Sequence, residues 1–172
     1  MPDYQTADWW IDKLKMQPHP EGGYYAETWR SGESISRSCL PPRYGGDRSF
    51  STGIYFLVKG GTFSSLHRIA SDEMWHFYAG SPLTVFVIDQ QDQRREILLG
   101  PDPDKGQVFQ AVVPGGCWFG SRPQTEDGFS LVGCTVAPGF DFEDFELAGR
   151  EKLLARYPEH SQLIHSLTRQ ND

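Results

Sequence analysis

The chain has 172 residues and a mass of 19.5 kDa, with 38% hydrophobic and 13% aromatic residues, which suits one domain around one sizeable core. Sixteen Lys and Arg against 23 Asp and Glu give a formal charge of −7; this opposes phosphate backbones and anionic lipid, so neither nucleic acid nor a membrane is an expected partner. No apolar run approaches the ~20 residues of a membrane helix, no signal-peptide layout opens the chain, and the unpaired Cys39, Cys117 and Cys134 fit a cytoplasmic protein with free thiols.

Thr6 is a helix cap, and Ala7, Trp10, Ile11 and Leu14 recur at helical spacing, predicting a helix over about 6–16 that Pro18 and Pro20 stop. From about 22 to 137 the pattern changes to short apolar or alternating runs. Strands are predicted at 23–29, 51–58, 62–69, 74–79, 83–89, 95–99, 108–113, 117–121 and 129–137. Gly60-Gly61, Gly80-Ser81-Pro82, Pro101 to Asp104 and Pro114-Gly115-Gly116 supply the turns between them. Such spacing predicts an all-β jelly-roll β-barrel. Helices follow over about 144–168, with Asp141, Glu143, Asp144 and Glu146 near their start, where the helix dipole favours acids. No repeat or low-complexity linker divides the chain, so residues 1–172 read as a single domain with short flanking helices.

Five histidines are present. His160 and His165 fall in the polar C-terminal tail, leaving His19, His67 and His76. His67 lies six residues after Gly61 and six before Glu73, and Gly80 follows Glu73 by seven. This resembles the first motif of the cupin superfamily: Gly, five residues, His-x-His, three or four residues, Glu, six residues, Gly. Ile69 stands where that motif has its second histidine. Pro114-Gly115-Gly116 resembles the turn of the second motif, with Phe119 at its histidine position. The resemblance implies a metal site of three histidines and one carboxylate, of which only His67 and Glu73 remain. Two ligands do not normally hold a transition metal, so no cofactor is favoured. A divalent metal would need His67, Glu73 and His76, and strand parity turns His76 away from Glu73.

Longer segments sharpen the resemblance. Pro18 to Ser31 (PHPEGGYYAETWRS), Ser51 to Leu57, Leu66 to Arg68, Ser71 to Phe77 and Pro138 to Phe142 are together similar to the uncharacterised DUF985, or cupin 5, family. This implies a single-domain β-barrel cupin that forms a homodimer, for which the aromatic segment 23–29 is an expected edge. GYYAETW (23–29) is also similar to a strand of the sugar-nucleotide 3,5-epimerases, metal-free cupins whose first-motif histidine is a base. By that likeness His67 would take a proton beside a carbonyl.

The expected pocket therefore holds His67 and Glu73 as catalytic residues, with Glu73 orienting His67 or serving as acid. Parity places Ser65 and Ile69 on the face of His67. Tyr55, Trp75, Phe77 and Trp118 are candidates to line the pocket. Glu27 and Arg30 are candidates for its mouth, but residues three apart share a strand face only across a bulge. His19 and Glu21 sit in a tight Pro- and Gly-rich turn, read as a lid, a dimer edge or a structural contact. Cys117 and Cys134 read as inert core thiols. The expected function is binding of a sugar-like or carbonyl compound, with metal-independent isomerase or epimerase chemistry. The alternatives are a metal-dependent enzyme using His67, Glu73 and His76, and a non-catalytic metabolite-binding module.

Overall fold

In the computed structural model, which describes residues 6–169, helix α1 (Ala7–Lys13) begins at Thr6, whose hydroxyl accepts the Trp9 N–H at 3.2 Å. It ends before the predicted Met16 because Lys15 takes a φ of 54° and turns the chain. Trp10, Ile11 and Leu14 then pack with Met16 against Leu57, Phe129 and Leu131.

Thirteen strands follow among the described residues: β1 (Gln17–Pro18), β2 (Tyr24–Arg30), β3 (Ser34–Ile35), β4 (Arg48–Ser49), β5 (Thr52–Lys59), β6 (Ser64–Arg68), β7 (Asp72–Gly80), β8 (Leu83–Ile88), β9 (Arg94–Leu99), β10 (Gln110–Val113), β11 (Trp118–Pro123), β12 (Phe129–Ala137) and β13 (Glu146–Leu147). They form a six-stranded sheet, β1-β2-β5-β12-β7-β10, a five-stranded sheet, β13-β6-β11-β8-β9, and the small pair β3-β4. The strand ladders are antiparallel. Phe56, Val58, Trp75 and Val132 of the larger sheet bury themselves among Val85, Val87 and Phe119 of the smaller one, and that shared apolar layer holds the two together.

The closed barrel expected from the sequence is not what the ladders show. No strand ladder among the described residues joins the two large sheets. The link from β9 to β10 crosses between them with only an isolated bridge, Leu99 to Val108, and this leaves an open two-sheet architecture. On the other side, β1 pairs only with Tyr24 and Tyr25, so the expected edge survives over residues 26–30.

Helices α2 (Arg150–Arg156) and α3 (Ser161–Ser166) bury Leu153, Leu163, Ile164 and Leu167 against Leu66, Ile88 and Trp118, on the outside of the smaller sheet. Each such side chain contributes roughly 1.5–3 kcal/mol on burial. The helix predicted from residue 144 starts later because Glu146 and Leu147 pair with Arg68 and His67 of β6. No helix among the described residues is long and apolar enough to cross a membrane.

Three irregularities in the ladders decide what faces inward. Thr28 is an extra residue in β2 and Tyr78 in β7. The register between β11 and β6 also shifts, so that Phe119 faces His67 while Ser121 faces Ser64. Gly120 lies at that third break. A Cβ there would come within 2.8 Å of the Ser64 carbonyl oxygen, so the two strands approach each other only with glycine in that place.

Candidate active site

A cavity of about 370 Å³ lies between the sheets. Its walls are largely aromatic: Tyr25, Phe56, Trp75, Phe140, Phe142 and Phe145. Its inner end carries His19, Glu21, His67 and Glu73, and its outer end Glu27, Arg30 and Asp141.

His67, on β6, is 3% exposed. Its Nδ1 lies 2.8 Å from the Ser65 carbonyl oxygen. A carbonyl cannot donate, so Nδ1 carries the proton and Nε2 the lone pair. That lone pair faces Glu21 Oε2 at 3.0 Å. Burial pushes His67 down to about 3 and, with the Glu73 carboxyl nearby, pushes Glu21 well above the usual carboxylate range. Both shifts favour the neutral pair, in which the Glu21 carboxyl donates its proton to Nε2. Glu21 Oε1 accepts from the Ser64 hydroxyl at 2.8 Å. The register shift in β6 is what lets Ser64 and His67, three residues apart, reach the same carboxyl. His19 completes the cluster. Its Nδ1 accepts the Glu21 N–H and lies 3.3 Å from Glu21 Oε2, and burial lowers its pKa to about 4.

Glu21 owes its position to the turn before β2. The His19 and Gly23 backbones hydrogen-bond across it, and Gly22 and Gly23 take φ values of 105° and 73°. A Cβ on Gly22 would lie 2.6 Å from the Phe63 carbonyl oxygen and closer still to the Arg169 guanidinium. The Gly-Gly pair thus lets the turn press onto β6, where the Ser65 N–H bonds the Glu21 carbonyl. The sequence marked this turn as conformationally special. It did not mark Glu21 as the partner of His67, a role that had been expected of Glu73.

Glu73 comes from β7 in the other sheet and is 8% exposed. Burial raises its pKa to about 7, and a hydrogen bond from the Cys134 thiol opposes that shift. Burial, the nearby Glu73 carboxyl and the bond that the thiol donates to it push Cys134 well up, in line with an inert core cysteine. Glu73 is thus poised near neutrality, with its carboxyl on the cavity.

The remaining expected residues divide by strand face. Trp75 lines the cavity. Phe77 packs against the inter-sheet core without lining it. Tyr55 faces the other way, under α1 and beside Tyr78, because its neighbours Ile54 and Phe56 take the inward positions. Trp118 lies under the C-terminal helices, and Phe119 takes the inward place. Ser65 is buried behind the wall, where its hydroxyl accepts from Arg169 and its carbonyl holds His67. His76 lies outside, bonded to Thr135 and Gln110, as parity predicts. Glu27 and Arg30 both line the mouth because Thr28 is the extra residue between them; they pair through two hydrogen bonds of 2.8 and 3.0 Å. The bulge that the sequence spacing requires for the two to share a face is therefore present at Thr28.

The four positions of the superfamily's metal motif hold His67, Ile69, Glu73 and Phe119. Ile69 and Phe119 belong to the apolar core, and both ring nitrogens of His67 are engaged. Among the described residues no group of three or more His, Cys, Asp or Glu is placed to hold a metal ion. This donor set does not fit that metal.

The chain matches no curated protein. Among solved structures it is 42% identical to a protein of Shewanella oneidensis, covering 96% of this chain and 98% of that one with a TM-score of 0.87. It is 38% identical to a hypothetical protein from Leishmania major, covering 96% and 99% with a TM-score of 0.86. Oxalate decarboxylase from Bacillus subtilis shares the fold at 15% identity, covering 88% of this chain and 36% of that one with a TM-score of 0.53. The sequence pattern of one family, described as cupin superfamily (DUF985), matches residues 8–148. The chain therefore belongs to the DUF985, or cupin 5, family of the cupin superfamily.

Proposed function

We propose that the protein is a metal-independent isomerase that moves a proton on a small carbonyl compound, with Glu73 as its single base. One observation carries this reading: a buried carboxyl on the cavity with its pKa raised to about 7. General acid–base catalysis works best when the catalytic pKa lies near the working pH. The Glu73 carboxylate takes the proton from the carbon beside the carbonyl. The electron pair of that C–H bond passes into the enolate. In a hydroxy-carbonyl substrate the hydroxyl proton of this enediolate passes to the former carbonyl oxygen, and the protonated Glu73 delivers its proton to the former carbonyl carbon. The new carbonyl forms at the carbon that lost its proton, and Glu73 is a carboxylate again.

His67 has a different part in this scheme from the one its sequence position suggested. A base needs an open lone pair, and the lone pair on Nε2 is taken by Glu21. Glu21 and His67 are positioning residues, a neutral wall whose hydrogen bonds are satisfied internally.

The test is solvent-deuterium incorporation into a panel of small hydroxy-ketones and hydroxy-aldehydes. Exchange should rise with pH through about 7, as Glu73 loses its proton, and should fall at least about a hundredfold in Glu73→Gln. Exchange that is undiminished in that variant overturns the reading.

A further inference from the structure

The cavity joins aromatic walls to an unusual charge balance. Arg30 is the one Lys or Arg in its described lining. It is not free: its Nε and one terminal nitrogen hold the two oxygens of Glu27, and its other terminal nitrogen bonds the Phe140 carbonyl at 3.0 Å. Asp141 adds a further negative charge nearby, and the pairing with Glu27 raises the Arg30 pKa. The two lining histidines are neutral. What remains uncompensated is Asp141 at the mouth and the half-ionised Glu73 inside, around Tyr25, Phe56, Trp75, Phe140, Phe142 and Phe145.

We infer that this site selects its ligand by charge, taking neutral and, more tightly, ammonium-bearing small molecules while rejecting anions, and that Glu27 sets this preference by masking Arg30. The inference rests on the reading of this cavity as the substrate site and names its substrate class. Aromatic faces attract cations and offer anions nothing, and a buried carboxylate gains from a cationic partner while repelling a like charge. A nucleoside diphosphate sugar brings charges that no unpaired cation in the described lining would meet, so the likeness of residues 23–29 to the sugar-nucleotide epimerases does not extend to their substrates. The cationic class also suits the chemistry. An ammonium beside Glu73 favours its carboxylate form, the form that takes a proton.

The experiment uses the full chain and three matched probes, phenethylammonium, phenylacetamide and phenylacetate, with binding followed by NMR at pH 8. Phenethylammonium should bind at least about tenfold tighter than phenylacetate, with phenylacetamide between them. In Glu27→Gln, which leaves a half-exposed surface position, the gap should shrink at least about fivefold because Arg30 becomes available. Phenylacetate binding as tightly as the ammonium overturns the inference, as does failure of all three probes at millimolar concentration or an unchanged gap in Glu27→Gln. Failure of the catalytic reading looks different: the charge preference holds, yet no carbonyl compound exchanges deuterium.

Discussion

Replacing Glu73 with Gln keeps the shape of the protonated carboxyl and removes its ability to ionise. The native carboxyl has a pKa of about 7, against an ordinary value of 4.5. A raised carboxyl pKa means that the folded chain holds the proton more tightly than the unfolded chain. The associated stability is fully present below about pH 4.5 and is lost as pH rises through about 7. Over that window the loss amounts to about 3 kcal/mol for a group this buried. Glu73→Gln should therefore be close to neutral at pH 4.5 and more stable than the natural protein by about 2–3 kcal/mol at pH 8. For a domain of this size that corresponds to a rise in Tm of about 4–12 °C. Glu21 does not offset this gain: removing the charge beside it brings its raised pKa back toward the unfolded value, which leaves the variant's stability at pH 8 unchanged or higher still. The assay is denaturant unfolding of both proteins at pH 4.5, 6 and 8. A difference that does not grow with pH, or a variant less stable at pH 8, refutes the reasoning. The same variant should lose activity, as expected when a site is held in a destabilised state for its chemistry.

Glu21→Ala leaves the Nε2 lone pair of His67 and the Ser64 hydroxyl without their partner, and should destabilise by about 2–4 kcal/mol in denaturant unfolding. Arg48 is buried and holds both oxygens of buried Asp144 at 2.7 Å; Arg48→Ala should cost about 3–5 kcal/mol and speed amide exchange around Phe142 and Phe145. Gly120→Ala forces β6 and β11 apart and should cost at least about 1–3 kcal/mol. Trp118→Ala should cost about 3–5 kcal/mol while leaving the ranking of the three charge probes unchanged, because its side chain lies outside the cavity.

Much of this architecture was legible in the pattern of residues. The strands from β5 to β12 fall close to their predicted places because turns at Gly60-Gly61 and Pro114-Gly115-Gly116 bracket alternating runs. Parity alone placed His76 outside. What parity could not supply was the bulges. Thr28 brings Glu27 and Arg30 to one face, and the register break at Gly120 brings Ser64 and His67 to one carboxyl. Each depends on how two distant strands meet, which no local pattern encodes. Tyr55 and Trp118 were misplaced for a related reason. An aromatic residue suits either face of a strand when a helix covers the outer one, and α1, α2 and α3 do so here. Glu21 was hidden most deeply. Its one signal was the His-Pro-Glu-Gly-Gly turn, whose positive φ values press a carboxylate onto a strand more than forty residues away in the chain.

The most direct test of the account is the ionisation of Glu73 itself, followed through the carboxyl ¹³C resonance of labelled glutamate in the full chain. The account predicts one carboxyl titrating with a midpoint of about 7, absent in Glu73→Gln. A midpoint near the ordinary 4.5 for this residue would contradict it, and the single-base reading with it.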